Sequence, residues 1–304
     1  MIDRLIRAHL KKFEPYRSAR SEVREAHTFL DANELSIGSP ISVDNLPLNR
    51  YPDPLQVELR TTLAAQFNLS PDSLFVGVGS DEIIDLLIRL LCEPGKDRVM
   101  ILEPTYGVYR VAADVNAVEV AGVDLDAEFH IDSDRTCRAL SPGTKILFCC
   151  SPNNPTGNLL RADDLFTLCR MTEGIVVVDE AYVEFSDRAG GLVADVSRFE
   201  NLVVLRTLSK AWGSAGIRLG YCIAHPLIVS YLLRIKAPYS MNAVTSGLGL
   251  KALGNRGFFE KARSVIVQER GRLAAELRRL PSVVRVYPSD ANFILAEFAD
   301  VRKA

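Results

Sequence analysis

The feature that most constrains this chain is a repeated alternation of short apolar runs with amphipathic stretches. Leu74 to Val78, Val99 to Leu102, Ala117 to Val120, Ile146 to Cys150, Ile175 to Val178, Leu202 to Leu205 and Tyr221 to Ala224 read as strands. Several are apolar on both faces, as strands covered by helices on both sides must be. Between and before them lie helical spacings. Leu55, Leu59, Leu63 and Phe67 recur every four residues, and Ile83, Ile84, Leu87, Leu90 and Leu91 form an inward stripe after Ser80, a natural N-cap. Strands alternating with helices imply an α/β domain with a mainly parallel, mixed sheet covered by helices. From Pro226 to about Leu280 the pattern is mostly helical, with one long helix over Phe258 to Leu280. Val283 to Val286 and Asn292 to Glu297 then read as strands of a smaller α+β domain. The expected division is an N-terminal arm over 1–45, a large domain over 46–240 and a small, incomplete C-terminal domain over 241–304.

Composition narrows the function. The 304 residues suffice for a sizeable core. A formal net charge of −2 with 24% charged residues gives no reason to expect a nucleic-acid or membrane partner. No apolar run approaches the roughly 20 residues of a membrane span. Met1 to Arg7 has charges throughout and lacks the apolar core of a signal peptide. Six cysteines and four scattered histidines (His9, His27, His130, His225) show no metal-ligand spacing and form no triad. A cytoplasmic protein without a metal is the expectation.

In open α/β sheets ligands bind beyond the carboxyl ends of the strands. Ser80, Tyr106, Asn154, Asp179 and Lys210 each follow a different apolar run, so one site is expected to gather them. Around Lys210 the run Arg206-Thr207-Leu208-Ser209-Lys210-Ala211-Trp212-Gly213 sets a lysine among small residues that a flat ligand can approach. Thr207, Ser209 and Arg218 add two hydroxyls and a planar guanidinium, which suit a phosphate. Gly77-Val78-Gly79-Ser80-Asp81-Glu82 ends a strand at a helix start, again a phosphate site in form. It is not a dinucleotide fingerprint, because Glu82 replaces the third glycine. Taken singly, these residues have ordinary uses: Asp179 as a helix cap, Tyr106, Tyr182 and Tyr51 as packing tyrosines, and Ser151 to Gly157 as turn chemistry.

Five strings occur in one order: Gly79-Ser80-Asp81-Glu82, Pro104-Thr105-Tyr106-Gly107, Ser151-Pro152-Asn153-Asn154-Pro155-Thr156-Gly157, Asp179-Glu180-Ala181-Tyr182 and the lysine segment. Together they resemble the class-II-like, pyridoxal-phosphate-dependent aminotransferases of fold type I. Pro15 to Arg20, Leu30 to Glu34, Arg50-Tyr51-Pro52, Asp179 to Phe185 and Ala237-Pro238-Tyr239 are most similar to the histidinol-phosphate aminotransferase group, and the resemblance spans essentially the whole chain. It implies pyridoxal 5'-phosphate as cofactor, held covalently by Lys210. Asp179 would answer the pyridine nitrogen, Asn154 and Tyr182 the phenolic oxygen, and Tyr106 would stack on the ring. Ser80, Asp81, Thr207, Ser209 and Arg218 would surround the phosphate. Tyr51 would reach the cofactor phosphate of a neighbouring subunit, which implies a homodimer, and Tyr16 and Asn33 would lie near the substrate. The implied reaction moves the amino group of L-histidinol phosphate to 2-oxoglutarate, giving imidazole acetol phosphate and glutamate.

The chain departs from that pattern in two ways. Asp31 stands where the group usually has Asn, and the group continues past residue 304 through a strand with a substrate-clamping arginine. An incomplete substrate end, with cofactor binding retained and turnover impaired, is therefore an expectation. The residues also leave open an aromatic aminotransferase, a threonine-phosphate decarboxylase, or an inert cofactor-binding fragment.

Overall fold

The apolar runs pair into one sheet. A computed structural model of the chain describes residues 51–188 and 190–300. The expected arm over 1–45, with Tyr16 and Asn33, lies outside them. The strands are β1 (Leu74–Val78), β2 (Arg98–Glu103), β3 (Glu119–Asp124), β4 (Thr144–Cys150), β5 (Ile175–Asp179), β6 (Leu202–Thr207) and β7 (Leu219–Ile223). Their order across the sheet is β1-β7-β6-β5-β4-β2-β3. All neighbours are parallel except at β7, which runs antiparallel to both β6 and β1. The expected mainly parallel, mixed sheet is thus the one found.

Alternate residues of each strand feed two cores. On one face Leu147, Val176, Val178, Leu202 and Val204 pack with α1 (Val57–Gln66), α5 (Ala162–Met171) and the C-terminal helices α7 (Ala243–Gly254) and α8 (Arg256–Leu277). On the other, Phe75, Ile146, Phe148, Val177 and Val203 pack with α2 (Gly79–Leu91), α3 (Val108–Val115) and α6 (Pro226–Ile235). The helix α4 (Ser133–Ala139) lies beside α5. Fully buried apolar strands of this kind carry most of the hydrophobic stabilisation. A separate two-stranded antiparallel sheet joins β8 (Val283–Val286) to β9 (Ala296–Phe298).

Several boundaries differ from the reading of the sequence, each for a local reason. β3 begins at Glu119 rather than Ala117, because Ala117 adopts a left-handed φ of 60° closing the turn after α3. As an edge strand β3 exposes Glu119, Gly122 and Asp124, so its apolar signal is diluted. β9 is shorter than Asn292 to Glu297, since the Ser289 hydroxyl bridges the Ala291 amide and the Phe293 carbonyl and bends the chain there. Ser80 is not the cap of α2: Gly79, at φ +78°, turns the chain directly into the helix, Val78 occupies the cap position, and the Glu82 carboxylate accepts the Val78 N–H at 2.5 Å. Leu55 precedes α1 and is exposed, while the Asp53 carboxylate takes the N–H groups of Leu55 and Val57.

Beyond the apolar packing, one buried ionic group binds the centre of the sheet. Arg206 on β6 is 2% exposed; its Nε donates to Glu180 at 2.9 Å, its Nη1 to Glu184 at 3.3 Å and its Nη2 to the Gly190 carbonyl at 2.9 Å. Glu180 Oε1 also accepts the Leu192 N–H at 2.7 Å. Burial alone would push both acids up, and the guanidinium between them opposes it. From α8, Arg263 and Arg270 donate to the carbonyls of Glu184, Ser186, Phe185 and Ala291, and Phe259 stacks on Trp212 with ring centroids 4.2 Å apart. Arg206→Met is expected to cost about 3–5 kcal/mol, because it strands two buried carboxylates. The loss should appear as a lower urea midpoint at pH 7 and shrink as the pH falls and those carboxylates take protons.

Candidate active site

Five strands run parallel or are aligned so that their carboxyl ends, at Val78, Glu103, Cys150, Asp179 and Thr207, open on one edge of the sheet. β7 starts at that same edge with Leu219. The sequence-predicted residues Ser80, Asp81, Tyr106, Asn154, Asp179, Tyr182, Thr207, Ser209, Lys210 and Arg218 lie on the segments leaving or entering there.

Close backbone contact shapes the first half of the site. A Cβ on Gly220 would stand 2.3 Å from the Ser80 nitrogen, so only glycine lets β7 lie against the start of α2. Arg218, itself left-handed at φ 55°, is thereby brought over that helix start: a Cβ on Gly79 would meet its Nη2 at 2.6 Å. Arg218 Nη2 lies 3.2 Å from Asp81 Oδ2, and the Tyr106 hydroxyl donates to Asp81 Oδ1 at 3.2 Å. Opposite, the hydroxyls of Thr207 and Ser209 are buried and 2.9 Å apart, with the Ser209 N–H donating to Thr207 Oγ1. The first turn of α2 has no side-chain cap from Val78. A helix start, two hydroxyls and a guanidinium converge, a donor set suited to a phosphate dianion.

The second half is a buried carboxylate with few donors. Asp179 is 3% exposed; its Oδ2 accepts the Tyr109 hydroxyl at 2.8 Å and its Oδ1 the Ala181 N–H at 3.1 Å. Burial pushes its pKa up to about 6 against the pull of those two donors; Asp81 adds to the rise and Lys210 opposes it. A carboxylate held up by desolvation gains when a cationic group arrives beside it. The protonated ring nitrogen of pyridoxal phosphate is such a group, so this carboxylate and the phosphate cradle both fit that cofactor.

Lys210 completes the arrangement three residues past the end of β6. Its Nζ lies 5.5 Å from the centre of the Tyr182 ring, and Asn154 Nδ2 donates to the Tyr182 hydroxyl at 3.2 Å. Tyr182 is wedged edge-on against Phe293 with centroids 5.2 Å apart. An amine, a phenol and an amide thus share one corner. Tyr51 does not join this hydrogen-bonded group among the described residues: it is 81% exposed and stacks on Tyr239 at 4.6 Å.

The aminotransferase class I and II family matches residues 26–303. The chain belongs to that family. It is 46% identical over 303 residues to the histidinol-phosphate aminotransferase of Cytophaga hutchinsonii, covering 99% of this chain and 86% of that protein. It is 41% identical to the histidinol-phosphate aminotransferase of Schizosaccharomyces pombe, covering 97% of this chain and 80% of that one. The crystal structure of the histidinol-phosphate aminotransferase from Clostridium acetobutylicum aligns with a TM-score of 0.77 at 25% identity, over 84% of this chain and 76% of that one. A structure of the Sinorhizobium meliloti protein of the same name, in complex with pyridoxal-5'-phosphate, shares the fold with a TM-score of 0.78 at 22% identity, over 88% and 75% of the two chains.

Two groups in the candidate site have no counterpart in the reading of the sequence. Tyr109, on α3, supplies the hydroxyl to Asp179; it sits three residues past Tyr106, and its spacing signals only an inward helix face. Asn153 locks two site loops together: Nδ2 donates to the Pro104 carbonyl at 2.8 Å, and Oδ1 accepts the Thr105 hydroxyl at 3.1 Å. Its place beside Asn154 in the same string was the available signal. Among the described residues no cluster of His, Cys, Asp and Glu is placed to hold a metal, and no helix is long and apolar enough to cross a membrane.

The raised Asp179 pKa has a signed consequence. An acid whose folded value exceeds its unfolded one leaves stability intact below the unfolded pKa and lowers it as pH rises through the folded pKa. A rise from 3.8 to about 6 amounts to at most about 3 kcal/mol, absent near pH 4 and complete above pH 6. In the cofactor-free protein, the melting temperature of Asp179→Asn relative to the parent should therefore increase between pH 4 and pH 7. With pyridoxal phosphate added at pH 7 the parent should gain more stability than the variant.

Proposed function

We propose that the chain uses pyridoxal phosphate to transfer the amino group of L-histidinol phosphate to 2-oxoglutarate, giving imidazole acetol phosphate and glutamate in histidine biosynthesis. One observation carries this reading. Lys210, Asp179, the Asn154–Tyr182 pair and the phosphate cradle meet at one sheet edge, in a chain 46% identical to a histidinol-phosphate aminotransferase.

Pyridoxal phosphate, when bound, supplies an aldehyde for amines and a ring that accepts electrons from the substrate Cα. The cradle of Ser80, Asp81, Thr207, Ser209 and Arg218 anchors the phosphate end. Asp179 holds negative charge at the ring nitrogen and so keeps it protonated. Tyr106 provides an aromatic platform, and Asn154 with Tyr182 donates hydrogen bonds at the phenolic oxygen. Lys210 Nζ would hold the cofactor through its aldehyde, and as a free amine it would be the general base placed to move a proton at the substrate Cα.

Assembly and surroundings belong to the same reading. A homodimer would use the exposed Tyr51–Tyr239 stack, with Tyr51 crossing to the second copy's phosphate. Tyr16 and Asn33 are assigned to the substrate, and the compartment to the cytoplasm. The large domain would hold the seven-stranded sheet and the small one the β8–β9 sheet. α7 still packs on the large unit, since a Cβ on Gly249 would press on Leu219 at 2.4 Å; the passage between the two runs through α8.

The experiment is an absorbance titration of the cofactor-loaded chain with L-histidinol phosphate. The visible band of lysine-bound cofactor should fall as the near-ultraviolet band of its amine form rises, and 2-oxoglutarate should restore it. Lys210→Ala should lack the lysine-bound band and form the amine of the cofactor at least about a hundredfold more slowly. A chain that ignores L-histidinol phosphate but responds to phenylalanine, or releases carbon dioxide from O-phosphothreonine, would contradict the assigned donor.

A further inference from the structure

Tyr109 touches the Asp179 carboxylate directly, yet the proposed reaction leaves it without a role. It is fully buried on α3, with its ring flat on Phe148 of β4 at 4.8 Å and 3°. Its edge meets the Tyr106 ring at 5.6 Å and 86°. For those ring contacts a phenylalanine would serve equally well. The hydroxyl is what distinguishes it: burying a phenol without a partner is costly, and here the partner is Asp179 Oδ2 at 2.8 Å. The Cys150 thiol also lies against the Tyr109 hydroxyl, but it donates to the Pro152 carbonyl at 3.3 Å and burial keeps it protonated, which leaves Asp179 as the charged acceptor for the phenol. Burial and the adjacent carboxylate likewise keep Tyr109 in its phenol form, so it can only donate to Asp179.

We propose that Tyr109 is a positioning residue for the reaction: its hydroxyl orients the Asp179 carboxylate and holds it as the anion, so that the proton shared with the cofactor's ring nitrogen rests on nitrogen. The inference depends on the pyridoxal phosphate reading above. Each carboxylate oxygen accepts up to two hydrogen bonds. Oδ1 has the Ala181 N–H and Oδ2 has Tyr109, so each oxygen keeps one acceptor site, and a ring N–H can take either. The alternative state has the proton moved from ring nitrogen to carboxylate oxygen, O–H facing a neutral ring that withdraws electrons less well. Removing a donor makes the carboxylate more basic and shifts the balance towards that state. A hydrogen bond to a charged group changes such a balance by about ten- to a hundredfold. The charges facing Asp179 are Lys210, which favours the anion, and Asp81, which opposes it. Through the Tyr106 contact the same helix also supports the aromatic platform, so one turn of α3 sets two cofactor contacts.

The test is Tyr109→Phe in the holoenzyme, reconstituted with pyridoxal phosphate labelled with 15N in the ring. The nitrogen resonance at pH 7 should move towards its neutral-pyridine position, with kcat for the half-reaction with L-histidinol phosphate falling about ten- to a hundredfold and the melting temperature of the cofactor-free protein falling more at pH 7 than at pH 4. Replacing Tyr109 with 3-fluorotyrosine keeps the packing and makes the hydroxyl a stronger donor. That variant should move the resonance the opposite way, or leave it at the protonated limit and raise the pH at which the ring proton is lost; it tests the bond even if Tyr109→Phe does not fold. As a packing control, Phe148→Leu should lower stability without displacing the nitrogen signal. A nitrogen resonance in Tyr109→Phe identical to that of the parent, or a fluorotyrosine form with an unchanged titration, would overturn the proposal. A parent that binds the cofactor but does not react with L-histidinol phosphate, with the resonance still shifted in Tyr109→Phe, would support Tyr109's role while overturning the donor assignment.

Discussion

The guanidinium of Arg206 holds the two strands on which the site depends. It lies one residue before Thr207, which faces the phosphate cradle, and it grips Glu180, one residue after Asp179. Through Glu184 it also fixes the short turn that carries Tyr182, and Gly190 is tied to the same group. A buried ion pair is a weak source of stability compared with apolar packing of equal volume. Its use here is geometric: the charges cannot separate without leaving a carboxylate unpaired in the core, so the ends of β5 and β6 keep one relative position. α8 extends that control from the C-terminal region, since Arg263 and Arg270 hold the carbonyls of the same Glu184–Ser186 turn.

On that frame the two halves of the site work by opposite means. At the cradle, glycines remove side chains so that the backbone of a helix start and the Arg218 guanidinium approach closely. At Asp179, bulky rings exclude water, and negative charge is kept in a place where burial disfavours it. A ligand with a phosphate at one end and a protonated ring nitrogen at the other satisfies both. In the proposed reading, Lys210 and the Asn154–Tyr182 pair, which share one corner, would answer the ligand's aldehyde and the neighbouring oxygen.

The sheet was legible in the sequence because parallel strands buried on both faces leave unbroken apolar runs, and the candidate site because several of those runs are followed closely by a polar residue that has no place in a core. Asp179 after Ile175-Val176-Val177-Val178 is the clearest case. Tyr109 was not legible: on a helix facing the core, a tyrosine looks like any packing aromatic until its hydroxyl partner, 70 residues away, is located. Arg206 was equally silent, since a charge ending a strand reads as solvent-facing unless both acids are seen around it. The edge strand β3 slipped because its exposed residues broke the apolar pattern, and Ser80 was misread as a cap because Gly79 can turn into a helix without one.

The central claim is that Lys210 is the covalent anchor of a cofactor at the carboxyl edge of the sheet. Borohydride reduction of the pyridoxal-phosphate-loaded chain, followed by proteolysis and mass spectrometry, tests it most directly. The account predicts a single phosphopyridoxyl mass increment on the peptide containing Lys210. An increment on another lysine such as Lys236, or none at all with Lys210 recovered unmodified, would contradict it.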